Sequence, residues 1–187
     1  MDLIEAIYTR RAVRNYKNEN VPKEIINKLL EVATQAPSSS NSQPWTFAVI
    51  QDPALLKTYS DKAKALLLKL MEDNPDPQGY KTTLSNPDFN TFYNAGTLII
   101  IYANSDGLQS TGDCSMAAQN LMLAAHSYGL GTCWIGFSTP LVNSDEFKQE
   151  LGIPLTYKAV APIILGYPDV SLSTIPKKPP EVLIWKN

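Results

Sequence analysis

Residues Thr97-Leu98-Ile99-Ile100-Ile101-Tyr102 form an unbroken apolar run. Strand side chains alternate between the two faces of a sheet, so a run without polar alternation has no face suited to water. The segment predicts a central strand covered on both sides. Trp45-Thr46-Phe47-Ala48-Val49-Ile50 predicts another strand from its aromatic and β-branched content. Residues 132–135 predict a third. Residues 157–166 predict a last one, in which Pro162 points to an edge position or a bulge.

Between these runs the apolar period changes to that of helices. Leu3, Ile4, Ile7 and Tyr8 share one face of a helix over residues 2–9. Ile26, Leu29, Leu30 and Ala33 form the stripe of a second helix that starts near Pro22 and is ended by Pro37. Asp52-Pro53 opens a third, running to about residue 71. Asp113 begins a charge-poor helix through Ser127, expected to be buried on most sides, with Gly129 as its C-terminal cap. A short helix is expected over residues 144–151.

Two stretches break this pattern inside what reads as a single domain over residues 1–187. Residues 72–92 hold Pro75, Pro77, Gly79 and Pro87 and predict a variable surface excursion, a lid or binding loop, with disorder as the alternative. Residues 169–187 hold Pro176, Pro179 and Pro180 and end in Val182-Leu183-Ile184-Trp185. An extended C-terminal arm wrapping a partner subunit would give that apolar end a surface; a loose terminus is the alternative.

Composition excludes several classes. At 187 residues, with 44% hydrophobic and 18% charged residues, the chain has an ordinary globular balance. A formal net charge of −2 argues against nucleic acid as a partner. Cys114 and Cys133 make no C-x-x-C pair and read as buried free thiols. The acidic N-terminus does not resemble a signal peptide, and no run reaches the ~18 apolar residues of a membrane span. A cytoplasmic, membrane-free protein is expected.

Chemistries can be tested in turn. His126 is the sole histidine, without carboxylates or cysteines at ligand spacing, so no metal site is expected. A hydrolytic triad lacks a G-x-S-x-G nucleophile turn. Gly129-Leu130-Gly131 lies after a helix and before a strand, the reverse of the dinucleotide fingerprint, and the phosphate-loop lysine motif is absent.

What remains is a set of polar clusters. Arg10, Arg11 and Arg14 follow the first helix; their forked donors suit phosphate, with Arg10 on the phosphate and Arg14 reaching a second acceptor. On charge alone they read rather as a solvated face pairing with nearby Glu and Asp. Ser38-Ser39-Ser40-Asn41-Ser42-Gln43 offers the donors and acceptors that read a heterocycle edge, or else a polar turn. Lys177-Lys178 before Pro179-Pro180 is by itself a charged tail.

Together, in this order, the clusters resemble the nitroreductase family. Arg10-Arg11-Ala12-Val13-Arg14 is similar to its basic segment after the first helix. Ala36-Pro37-Ser38-Ser39-Ser40-Asn41-Ser42-Gln43-Pro44-Trp45 is similar to its Ala-Pro-Ser-x-x-Asn-x-Gln-Pro-Trp loop. Residues 113–136 resemble its long helix and the Gly-Leu-Gly-x-x-Trp-Ile-Gly that follows. Ile164-Leu165-Gly166-Tyr167-Pro168 resembles the final strand, and Lys177-Lys178-Pro179 the terminal phosphate-contacting segment. The likeness spans nearly the whole chain.

The resemblance implies an α+β fold: a mostly antiparallel central sheet covered by helices, in an intertwined homodimer with exchanged C-terminal arms. It implies flavin mononucleotide (FMN) at the dimer interface. Arg10, Arg11 and Lys177 or Lys178 would hold the phosphate, and Arg14 would approach the N1–C2 carbonyl edge. Ser38, Ser39, Asn41 and Gln43, after Pro37, would come from the other subunit. Trp134, Ile135 and Gly136 would lie near N5. Ala12 stands where the family usually has serine, which removes one hydroxyl contact worth about 0.5–1.5 kcal/mol. The implied activity is ping-pong electron transfer from NADH or NADPH to nitroaromatic, quinone or similar small acceptors, with no side-chain nucleophile. The alternatives are a flavin reductase or dehalogenase-like enzyme of the same superfamily, a non-catalytic FMN carrier, and a flavin-free interaction module.

Overall fold

The computed structural model describes all residues except Leu172, Thr174 and Asn187. Helix α1 (Leu3–Thr9) starts at Asp2, whose carboxylate accepts from the Glu5 N–H at 2.8 Å. Helix α2 (Lys23–Ala33) follows Pro22 and ends before Pro37. Strand β1 (Trp45–Ile50) leads into α3 (Pro53–Leu70), where Asp52 caps two N–H groups and Pro53 takes a first-turn position. Helix α4 (Tyr80–Ser85) lies inside the Pro-rich excursion. Then come β2 (Thr97–Ala103), α5 (Ser110–Ser127), β3 (Gly131–Trp134), α6 (Thr139–Val142), α7 (Asp145–Glu150) and β4 (Lys158–Gly166).

The described strands form one sheet in the order β1-β2-β4-β3, and every pairing is antiparallel. All residues of β2 are buried, as its apolar run requires. One face packs on α2 and α5 through Leu29, Ala118 and Leu121; the other packs on α3, α6 and α7 through Leu56, Tyr59, Val142 and Phe147. The sheet is thus the middle of three layers, the arrangement that buries both faces of β2.

Pro162 corrects one expectation. Strand β4 is not an edge; it lies between β2 and β3. The bulge reading fits better, because the register with β2 shifts between Ile101 and Tyr102, leaving Val160 unopposed. The N–H that Pro162 lacks would have faced Ile135, whose own N–H donates to the Pro162 carbonyl at 2.8 Å. The Ile135 carbonyl is therefore available to the Ser138 N–H and hydroxyl, which close a 3-10 turn over Gly136–Ser138. That turn and α6 carry no clear sequence periodicity and were not expected.

Helix α5 begins one turn before Asp113 and ends at Gly129, whose φ of +75° suits a residue without a Cβ. Past residue 169 the described tail has no regular secondary structure. Val182, Leu183 and Ile184 are exposed on it.

Candidate functional site

The basic segment is fixed to the outer edge of β3. Ala12 bridges Thr132 in parallel, with the Val13 N–H donating to the Thr132 carbonyl at 3.0 Å. Further along, Tyr16 bridges Pro168, and Lys17 and Asn15 exchange backbone hydrogen bonds with Tyr167 and Asp169. Two glycines permit this approach. A β-carbon on Gly131 would meet Val13 at 2.7 Å, and one on Gly166 would meet the Tyr16 ring at 2.9 Å. Tyr16 is locked in place by donating its hydroxyl to the Val13 carbonyl.

This docking brings Arg14 into a cleft of about 150 Å³ with Thr91, Tyr93, Cys133, Trp134, Ile135, Gly136 and Phe137. The Arg14 guanidinium lies 5.8 Å from the Tyr93 ring centre. Burial pushes the Cys133 thiol up, against the opposing pull of Arg14 and Arg10. Trp134 and Gly136 are exposed at the cleft, while Ile135 is buried and its N–H belongs to the sheet.

Around Arg10 the charge is uncompensated. Among the described residues no carboxylate pairs with Arg10, Arg11 or Arg14; the ion pairs lie on α3, joining Lys57, Lys62 and Lys64 to Asp61, Glu146 and Glu150. The reading of the arginines as a paired surface face does not hold. Burial lowers the Arg10 guanidinium, and the neighbouring Arg11 lowers it further. Burial lowers His126 as well, and Arg10 and Arg11 add to that. Both groups register the same local positive potential, a setting that attracts an anion.

Arg11 is partly committed. Its Nη1 donates to the Tyr8 and Arg10 carbonyls, and its Nε to the Ser173 carbonyl at 3.3 Å. Nη2 takes part in none of these bonds and faces no competing carboxylate. The Ser173 contact ties the tail to the basic segment four residues before Lys177; Lys177 and Lys178 are exposed. Ala12 contributes backbone only, through its bridge to Thr132.

The serine-rich loop lies elsewhere. Ser39 N–H donates to the buried Asp113 at 3.2 Å near the start of α5, whereas Thr9 on the basic side contacts His126 near its end. At 1.5 Å per residue these points are about 20 Å apart along the helix. Within one chain, therefore, the structure does not bring Ser38, Ser39, Asn41 and Gln43 to the arginine cleft. The loop has a cavity of its own, about 370 Å³, which includes Ser39, Ser42, Leu108 and Asp113. It is also strained: Ser40, Asn41 and Gln43 all have positive φ, at 52°, 54° and 46°. Internal bonds hold it, Gln43 N–H to Ser38 Oγ at 3.0 Å and Gln43 Nε2 to Asn41 Oδ1 at 3.1 Å. Pro37 is exposed at its entry.

Sequence reasoning pointed to residues 72–92 as a lid or binding loop but named no individual residue of the cleft wall, and Tyr93 and Phe137 lie outside that stretch. Tyr93, Phe137 and Thr91 come from segments with no regular period, and only the Pro-rich interruption before them hinted at a special loop. Among the described residues no cluster of three or more His, Cys, Asp or Glu is placed to hold a metal, and no helix is long and apolar enough to cross a membrane.

These features define a class of α+β protein in which an antiparallel sheet carries unpaired arginines along one edge, beside an aromatic-walled cleft. The chain belongs to the nitroreductase family, whose profile matches residues 7–167. A Methanothermobacter thermautotrophicus protein, provisionally named an NADH dehydrogenase/NAD(P)H nitroreductase, is 32% identical over 172 residues, covering 90% of this chain and 78% of its own. The iodotyrosine deiodinase of Nematostella vectensis is 28% identical over 204 residues, covering 99% of this chain and 75% of its own. A Bacteroides fragilis nitroreductase crystallised with bound FMN shares the fold, with a TM-score of 0.85 over the whole of both chains and 24% identity.

Proposed function

We propose that this chain is an FMN-dependent oxidoreductase that passes electrons from NADH or NADPH to small organic acceptors such as nitroaromatics and quinones, in ping-pong fashion. The observation that carries this reading is the backbone bridge between Ala12 and Thr132. It fixes Arg14 in one cleft with Trp134, Ile135 and Gly136, beside Arg10 and Arg11, which have no carboxylate partner among the described residues.

The donor set fits FMN. Arg10 and the Nη2 of Arg11 supply forked donors for a dianionic phosphate, with Lys177 or Lys178 adding charge. Arg14 supplies a fixed cation to the redox end. The hydroxyls and amides of Ser38, Ser39, Asn41 and Gln43 suit the polar face of the flavin, but lie at the far end of α5. A homodimer resolves this, with the loop of one subunit completing the arginine cleft of the other. The exposed Leu3, Ile4, Tyr8 and Met116, and the apolar end of the C-terminal arm, supply surface for such a partner. Bound FMN would supply the two-electron chemistry. This chain's residues would bind and orient it, and Arg14 would place a fixed cation where reduction adds negative charge. The buried free thiols Cys114 and Cys133 suit a cytoplasmic setting.

The visible spectrum of the purified protein, followed by anaerobic titration with NADH and NADPH, tests the reading. A yellow protein bleached by either nucleotide supports it. A protein that stays colourless with added FMN rules it out. The second reading, a reductive dehalogenase, draws on the deiodinase relative that covers almost the entire chain. Iodide release from 3-iodotyrosine by the reduced protein distinguishes it.

A further inference from the structure

Rings and a buried lysine connect α3 to the arginine cleft. Lys64 is almost completely buried on α3, yet it carries a charge into the protein. Its Nζ donates to the Phe89 carbonyl at 2.8 Å, the Asn86 carbonyl at 3.3 Å and the Pro87 carbonyl at 3.4 Å, and it pairs with Asp61 at 3.2 Å. One turn earlier on the same helix face, Ser60 accepts from the Thr91 N–H at 2.8 Å. Two side chains of α3 thus hold the backbone of residues 86–91, a stretch without a strand or helix of its own.

The held segment carries the cleft wall. Phe89 meets Tyr93 edge-on at 5.6 Å and Phe137 at 6.3 Å, and Phe137 meets Tyr80 of α4 at 5.2 Å. Tyr93 lies under Arg14. Tyr93 and Asn94 both have positive φ, 52° and 56°, so the turn that presents the Tyr93 ring needs outside support. Asn90 gives part of that support, accepting from the Phe92 N–H at 2.8 Å.

We infer that Lys64 is a positioning residue for the acceptor: by gathering the Asn86, Pro87 and Phe89 carbonyls it sets Phe89, and through it the Tyr93 and Phe137 rings that face the Arg14 cleft. A buried ammonium is costly unless its donors are used, and three carbonyls and a carboxylate use them. Lys64 touches neither the cleft nor the flavin-binding residues. Its effect reaches the cleft through the aromatic wall. The inference rests on the proposed flavin function and refines it, since the wall selects planar aromatic acceptors over electron acceptors that need no docking.

The test uses the FMN-loaded protein and the variants Lys64→Met and Lys64→Arg. Two acceptors are compared, p-benzoquinone, which must stack in the cleft, and ferricyanide, which need not. For Lys64→Met the ratio of kcat/KM for quinone to that for ferricyanide falls about tenfold, through KM, as expected for a displaced wall. Benzoate, a planar ligand that is not reduced, binds about tenfold more weakly by its perturbation of the flavin spectrum, while the FMN Kd stays within about twofold. Lys64→Arg, which keeps charge and donors, recovers part of both. If Lys64→Met lowers Tm but leaves the acceptor ratio and benzoate affinity unchanged, Lys64 is merely structural and the inference is wrong. If the wild-type protein binds no FMN, the proposed function fails instead, which the spectrum shows before any variant is made.

Discussion

Gly131 and Val13 approach so closely that a β-carbon on the glycine would lie 2.7 Å from Cβ of Val13. This pair sets the distance between the basic segment and the sheet. Gly131→Ala is expected to push residues 12–14 off β3 and draw Arg14 out of the cleft. FMN affinity should fall at least tenfold, with a stability loss of about 1–3 kcal/mol from overpacking. Fluorescence titration of FMN and a urea melt measure both. Normal affinity in a folded Gly131→Ala protein would show that the segment's seat is not needed for the cofactor.

Arg14→Ala should separate binding from redox tuning. If Arg14 stabilises the reduced flavin, its loss lowers the two-electron midpoint by about 30 mV, equivalent to about 1.4 kcal/mol. Potentiometric titration of the FMN-loaded variant reads this directly. An unchanged midpoint with unchanged FMN affinity removes Arg14 from the redox role.

Thr91 is fully buried, and its hydroxyl has no hydrogen-bond partner among the described residues. A buried unpaired hydroxyl costs about 1–3 kcal/mol, so Thr91→Val should stabilise the FMN-free protein, raising its denaturant midpoint without changing the slope. A drop in stability would mean that the hydroxyl is satisfied in solution.

His126 gives a pH dependence with a definite sign. Thr9 donates its hydroxyl to the Glu5 carbonyl at 2.7 Å, so its oxygen accepts from His126 Nε2 at 2.8 Å. Burial, then Arg10 and Arg11, lower the imidazole from its usual 6.5, and Glu5 opposes them. The folded protein therefore binds this proton less tightly than the unfolded chain. The site's contribution is complete above about pH 6.5 and is lost as pH falls through the lowered value. His126→Gln should flatten the Tm profile below about pH 6.5 relative to wild type. A bound phosphate would restore favourable charge around His126, so added FMN should weaken the wild-type dependence.

The layers of the fold were legible because they depend on local patterns: the apolar run of β2, the stripe of α2, and the Asp52-Pro53 start of α3. Arg14 and Trp134 to Gly136 were legible as motifs, though nothing local showed that a parallel bridge joins them. The cleft wall was legible only as an irregular stretch over residues 72–92, not as individual side chains. Phe89, Tyr93 and Phe137 meet through contacts between irregular segments, and Lys64 on a helix reads as surface charge until its three carbonyl partners are seen. Pro162 misled in part. Its missing donor signals an edge in most sheets, but here it coincides with the point where β3 ends and the neighbouring strand no longer needs it.

The bond from Ile135 N–H to the Pro162 carbonyl has a consequence for exchange with solvent. The Ile135 amide, bonded to the Pro162 carbonyl, should retain its hydrogen for as long as the sheet stays closed, whereas the Gly136 amide beside it has no ladder partner. Protection should therefore drop abruptly across a single peptide unit. The cleft opens on the unprotected side, so the rigid scaffold and the ligand-facing backbone meet at a single peptide unit, where β3 leaves the ladder.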